Sequence, residues 1–241
     1  DVTHIVHLAG AGIAEKAWTK KRKKIIVKSR VLTSRLLHSK ISTLKLNISA
    51  FISASAVGIY GAQVSDKIFT EEDQAFEDFM GNCCKQWENA VDQFKSTTRT
   101  VKFRLGVILD ENHGALPRIA NMVKNSLGSP LGDGKQYMPW IHIEDAVNLF
   151  FEAILKKNIS GTFNAVSGDF IDNRNLTMKI GEELNKKIWL PNVPSFVLKF
   201  LYGEMSDTIL KGVKVSNKKI KDTGFKFKYE KIEDALREIY S

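Results

Sequence analysis

A chain of 241 residues that is 43% hydrophobic, with four Trp, five Tyr and fourteen Phe, holds enough apolar material for one sizeable core, or for a core and a small satellite domain. Five prolines and no low-complexity tract argue against disorder, and no run of about eighteen uncharged apolar residues is present to cross a bilayer as a helix. The net charge of +9 raises the question of nucleic acid, but the basic residues are spread along the chain around a single dense run, KKRKK at 20–24, and no nucleic-acid module is visible. A nucleic-acid partner is therefore not expected.

The opening residues, DVTHIVHLAG, read as a strand rather than a leader, because they have no basic segment before the apolar one. The run THIVHLAGAG is short, apolar and ends in small residues, as a buried parallel strand does when something must approach its C-terminal end closely. Residues 19–39 predict an amphipathic helix with Ile25, Leu32 and Leu36 on its apolar stripe. KLNISAFISAS (45–55) predicts the next strand, and GAQVSDKIFTEEDQAFE a loop of turn-formers and acids. Residues 78–96 predict a helix with Phe79, Trp87 and Val91 among its apolar positions. RTVKFRLGVIL (99–109) predicts a third buried strand. Strand and helix alternate in this way in a doubly wound α/β sheet of Rossmann type with right-handed crossovers.

Beyond residue 110 the texture changes. HGALPRIANMVKNSLG predicts a helix, SPLGDGKQYMPW a Gly/Pro loop, and IHIEDAVNLFFEAILKK a short strand running into a helix with Glu144 and Asp145 in its first turn. GTFNAVSG predicts a strand and NRNLTMKIGEELNK a helix, and the tail from about Ile188 is expected to be mostly helical. The predicted division is a Rossmann-type domain over 1–165, with a substrate-side insertion at about 111–140, and a small helical substrate-side domain over 166–241. No flexible linker separates them. The adjacent Cys83 and Cys84 make no disulfide framework, which suits a reducing compartment such as the cytoplasm. The five histidines show no metal-ligand spacing beyond His4 and His7, which fit a strand better, so no metal site is expected.

HIVHLAGAGI and FISASAVGIYG, in that order, resemble the fourth and fifth strands of an extended short-chain dehydrogenase/reductase. FRLGVIL, PWIHIEDAV and GTFNAVSG resemble its later landmarks. Finer stretches, among them DFMGNCCKQWENAVD, LGDGKQYMPWIHIEDA and VSNKKIKDTGFKFKYEKIEDALREI, are similar to the NAD(P)-dependent epimerase/dehydratase-like subgroup that ends in a small C-terminal domain of unknown function. The resemblance covers essentially the whole chain. It implies an NADP- or NAD-binding protein, with NADP(H) favoured, acting on a small substrate. It also implies a truncated N-terminus: the strand, Gly-rich turn and helix that hold the cofactor pyrophosphate in the family have no counterpart here, and roughly fifty residues before Asp1 would carry them. The sheet is accordingly expected to lack its first strands.

On this resemblance Ser55 stands at the active-site serine. Ser53, two residues earlier, faces the same side of the strand. The family's general acid/base is a Tyr in a Tyr-x-x-x-Lys pair, whose Lys lowers the Tyr pKa and holds the nicotinamide ribose. Counting back from Glu88, the Tyr position falls on Met80 and the Lys position on Cys84, and neither can replace its counterpart. Tyr60 is the nearest substitute. Ala9, Gly10 and Ala11 would be small to admit a cofactor over the first strand. Arg104, on an otherwise apolar strand, needs either a carboxylate partner or an anionic ligand. Trp140 and His142 are expected to border the substrate cleft, shaped by a turn at Gly132 and Gly134. The expected activity is oxidoreductase- or epimerase-like. The alternatives are a nucleotide-binding module that has lost turnover and, more remotely, a basic nucleic-acid-associated protein. Substrate and oligomeric state stay open.

Overall fold

The computed structural model describes residues 2–241. In chain order the elements are β1 (His4–His7), α1 (Lys20–Thr43), β2 (Ala50–Ala56), β3 (Val64–Phe69), α2 (Phe79–Val91), β4 (Arg99–Leu105), β5 (Val107–Leu109), α3 (Leu116–Lys124), β6 (Trp140–His142), α4 (Ile143–Leu155), β7 (Gly161–Ala165), α5 (Asn173–Glu183), α6 (Ser195–Tyr202), α7 (Asp207–Leu210), β8 (Gly212–Val215), α8 (Lys218–Lys221) and α9 (Ile232–Tyr240). The main sheet is four-stranded, in the order β1-β2-β4-β7, and all its pairs are parallel. Helices cover both faces, so this is the Rossmann-type α/β architecture expected from the alternation.

One face of the sheet is dry. Ala50, Ile52, Val101, Phe103 and Phe163 pack there against Ala146, Leu149 and Ala153 of α4. Ile220, Phe225 and Phe227 close the same core from the C-terminal region. Each of the large side chains removes apolar surface worth about 1.5–3 kcal/mol. The other face meets α1 and α2. Its apolar part is Phe51, Trp87, Val91 and Phe94, with Phe51 and Phe94 stacked at 3.8 Å between ring centroids.

Two expectations change. The third strand, expected over 99–109, is two strands. A Cβ at Gly106 would lie 2.7 Å from the Pro139 carbonyl oxygen, so only glycine lets the chain pass there. After Gly106 the chain leaves the main sheet as β5 and pairs with β6. The stripe on α1 is also turned. Thr19 caps the helix by accepting from the Arg22 N–H, but the buried positions are Ile26, Arg30, Val31 and Ser34, while Ile25, Leu32 and Leu36 are exposed. Val6 and Leu8 at the end of β1, the edge strand of the described sheet, are exposed as well.

The second half packs directly on this frame. Leu116, Ala120 and Val123 of α3, Leu176 and Ile180 of α5, and Ile232, Ala235 and Leu236 of α9 form one core with Leu109 and Trp140. The loop expected after β2 contains β3, which pairs in parallel with β8 near the other end of the chain. No helix among the described residues is long and apolar enough to cross a membrane.

Candidate functional site

Parallel register puts polar side chains side by side under α2. His7 aligns with Ser53, and Ser53 with Lys102. Two residues further on, Ser55 aligns with Arg104, and Arg104 with Asn164. Because side chains alternate along a strand, all of these point to the same face, while Ile52, Val101 and Phe103 point to the dry one. All are buried. A row of buried polar groups needs internal partners.

Glu88 of α2 supplies them. Its Oε1 accepts from Ser55 Oγ at 2.7 Å and from Arg104 Nε at 2.8 Å. Its Oε2 accepts from Arg104 Nη2 at 3.1 Å and Lys102 Nζ at 3.2 Å. Arg104 is thus gripped by both carboxylate oxygens, the strong geometry for this pair. Burial alone would raise the Glu88 carboxyl, but the bonds and charge of Arg104, then Lys102 and Ser55, hold it below the ordinary range. Arg104 therefore has its carboxylate partner within the chain.

Tyr60 completes the same network. Its hydroxyl donates at 2.6 Å to Asn164 Oδ1, lies 2.8 Å from the Thr70 carbonyl oxygen, and accepts from Arg104 Nη1 at 3.0 Å. The side chain is fully buried, and burial, with Arg104 opposing, pushes the phenol up to about 12. The structure thus corrects the expectation of Tyr60 as a substitute acid/base: the 3₁₀ turn at Val57–Tyr60 buries the ring and ties its hydroxyl to Arg104 and Asn164 in a structural network.

Met80 and Cys84 lie one turn apart on α2 and are both buried. Asp78 caps that helix, accepting from Gly81 N–H at 2.7 Å and Ala62 N–H at 2.8 Å, which fastens the segment after β2 to its first turn. A Cβ at Gly58 would sit 3.1 Å from Met80 Cε and 3.9 Å from Cys84 Sγ. The two positions are therefore filled by soft, uncharged side chains packed against the end of β2. Burial pushes the Cys84 thiol well above its ordinary value, so it is no thiolate near neutral pH.

At the end of β1, Ala9 and Gly10 are exposed and Ala11 is half-buried. Helix α1 clamps the Ala11 peptide from both sides: its N–H donates to Ser29 Oγ at 2.9 Å, and its carbonyl accepts from Arg30 Nη1 at 3.1 Å. Arg30 also donates to the Ile26 carbonyl at 3.0 Å, and its guanidinium lies 5.1 Å from the centroid of the Trp87 ring. A Cβ at Gly10 would come within 2.8 Å of Arg30 Cζ. His7 lies alongside, its Nδ1 3.3 Å from Ser53 Oγ and its buried Nε2 without a partner among the described residues. Burial, then the Arg30 charge, lowers its pKa.

Trp140 and His142 do not line a cleft; both are in the core, at 0% and 2% exposure. They lie on β6, which the departure of β5 from the main sheet draws inside. Trp140 packs among Leu109, Leu176 and Leu236. His142 caps α4 by accepting from the Glu144 N–H at 3.2 Å, and its Nε2 lies 2.9 Å from Glu238 Oε2. Gly132 and Gly134 both have positive φ, as a tight turn requires. No group of three or more His, Cys, Asp or Glu able to hold a metal occurs among the described residues.

Comparison with known proteins places this arrangement. Residues 193–239 match a domain of unknown function, DUF1731. The chain is 34% identical over 239 residues to the chloroplastic epimerase family protein SDR39U1 homolog of Arabidopsis thaliana, covering 98% of this chain and 68% of that protein. It is 36% identical over 236 residues to the epimerase family protein YfhF of Bacillus subtilis, covering 97% and 77%. The chain belongs to the epimerase family. Among solved structures, the human epimerase family protein SDR39U1 (isoform 2), determined with NADPH, superimposes with a TM-score of 0.94 at 28% identity, covering all of this chain and 82% of that one.

Three residues of this buried polar arrangement are not marked as such by the sequence. Glu88 served there only to count positions, yet it organises the polar face. Asn164 was hidden in a short strand, and the register opposite Arg104 is its only signal. Arg30 was concealed by the misplaced stripe on α1; a lone Arg between Ser29 and Val31 in a helix does not announce its burial.

Proposed function

We propose that the protein binds a nicotinamide dinucleotide, NADP(H) before NAD(H), over the C-terminal ends of β1 and β2, and acts there on a small substrate. The carrying observation is the end of β1, where small exposed residues lie directly over a buried cation that no carboxylate of the described chain neutralises. Open α/β sheets take ligands at the C-terminal ends of their strands. The human relative determined with NADPH favours the phosphorylated cofactor. When bound, the dinucleotide supplies hydride-transfer chemistry.

The chain's own contribution follows from Ser55. Its hydroxyl proton goes to Glu88, so its oxygen is left as an acceptor. Ser55 is therefore suited to receive a hydrogen bond from a substrate hydroxyl, and an alcohol or sugar hydroxyl fits better than a bare carbonyl. No side chain beside it is poised to exchange a proton near neutrality: the Tyr60 phenol is too weak an acid, Glu88 is held ionised, and Met80 has no proton. The packing of Met80 and Cys84 against Gly58 favours a second reading, a cofactor-binding module without turnover.

Titration of the full-length chain with NADPH, followed by nicotinamide fluorescence, tests both. Saturable binding is expected; none at millimolar NADPH overturns both readings. NADP⁺ reduction with a panel of alcohols and sugars, and NADPH oxidation with carbonyl compounds, then separate enzyme from module. Full turnover by Ser55→Ala would remove Ser55 from the reaction.

A further inference from the structure

Among the described residues, several buried cations lie on the α1/α2 side of the sheet, and each but one has an acid. Arg104 has Glu88, and Lys102 has Glu88 and Asp92. Arg30, at 8% exposure, makes no ion pair among the described residues. Its recorded partners are two backbone carbonyls, both reached through Nη1. A guanidinium has five donors in a fixed fork, and a fork taken from water with its charge uncompensated is costly. Its other neighbours are Trp87, which offers a ring face, and the exposed backbone of Gly10. Gly10 packs directly on the guanidinium: a Cβ there would lie 2.8 Å from Arg30 Cζ.

We propose that Arg30 is a ligand-contacting residue: its guanidinium, carried by α1 to the end of β1 beside Gly10, binds a phosphate oxyanion of the bound nucleotide. This rests on the dinucleotide reading above and assigns one of its contacts. The placement has a consequence for α2. Position 84, where the resemblance expects a lysine, holds an uncharged cysteine, while the cation at the end of β1 comes from another helix, α1. Burial lowers the pKa of Arg30.

A structural clamp on Ala11 is the competing role, so the test separates ligand contact from folding. Full-length wild type, Arg30→Gln, Arg30→Lys and Gly10→Ala are compared for NADPH affinity, for the shift in Tm caused by inorganic pyrophosphate, and for Tm without ligand. Arg30→Gln is expected to weaken NADPH at least about tenfold, the size of one charge-assisted hydrogen bond. It is also expected to abolish the Tm shift with pyrophosphate. Gly10→Ala keeps the arginine but crowds it, and is expected to do the same in milder degree. Should Arg30→Gln not fold, Arg30→Lys and Gly10→Ala carry the test. Unchanged NADPH affinity in folded Arg30 and Gly10 variants overturns the assignment while leaving the dinucleotide reading intact. If wild type binds no NADPH, that reading fails. A pyrophosphate shift that disappears with Arg30 would then still mark an oxyanion site, and its persistence without Arg30 would sink the proposal.

Discussion

Arg104 and Arg30 lie on the same side of one sheet, both buried, and differ in what completes them. Around Arg104 the chain supplies everything: both oxygens of Glu88, the Tyr60 hydroxyl and the Glu71 carbonyl. Around Arg30 the described residues supply two carbonyls and an aromatic face, and no acid. A network closed within the chain holds the ends of β2, β4 and β7 in register. An open one, at a strand end beside small residues, is where a ligand completes the structure. The contrast also accounts for Ser55, which stands at the boundary with its proton committed inward to Glu88.

The largest test of the closed network is Arg104→Ala. It leaves Glu88 buried with Lys102 as its remaining cation, and is expected to cost about 3–5 kcal/mol in urea unfolding. A loss below about 1 kcal/mol would mean that the network is dispensable. Cys84→Lys probes the boundary from the other side. It places a second buried cation beside Arg30 and is expected to destabilise by about 2 kcal/mol rather than restore a proton relay. A gain in stability or in turnover would contradict the view that Arg30 already supplies the local charge. Tyr60→Phe removes one hydroxyl from Asn164 and Arg104, and should cost about 1–2 kcal/mol while leaving NADPH affinity unchanged. An affinity loss as large as that of Arg30→Gln would put Tyr60 in the ligand site after all.

The smallest effect is on pH. Glu88 has a folded pKa below its unfolded value, so its contribution is complete above that unfolded value, about 4.3, and is lost as pH falls through the folded one. His7, held neutral by burial and by Arg30, is also depressed, so its contribution fades as pH falls below about 6.5. Urea unfolding between pH 7 and 3 should show two declines. Glu88→Gln should reduce the lower, to which other paired carboxylates such as Glu144 also contribute, and His7→Phe should remove the upper; a profile unaltered by both substitutions contradicts the assignment.

Much of this was legible in the sequence, and the gaps have physical causes. The order of β1, α1, β2, α2 and β4 follows from apolar runs alternating with helical periodicity, Ser55 follows from the family resemblance of its strand, and Arg104 from a charge on an apolar strand. The strand β3 was hidden because its residues Ser65, Asp66 and Lys67 are charged or polar and its partner β8 lies far along the chain. The turn at Gly106 was hidden because RLGVIL is continuous in hydropathy, and that turn is what takes Trp140 and His142 inside. Glu88 and Asn164 belong to a site made by cross-strand register, which no local pattern records. Arg30 depended on which face of α1 turns inward, and the sequence offered two.

The most direct test of the account is the NADPH affinity of the full-length chain, measured by nicotinamide fluorescence, for wild type against Arg30→Gln. The account predicts saturable binding by wild type and a loss of at least about tenfold in the variant. No binding by wild type at millimolar NADPH would contradict the dinucleotide reading, and equal affinities in the two folded proteins would contradict the role given to Arg30.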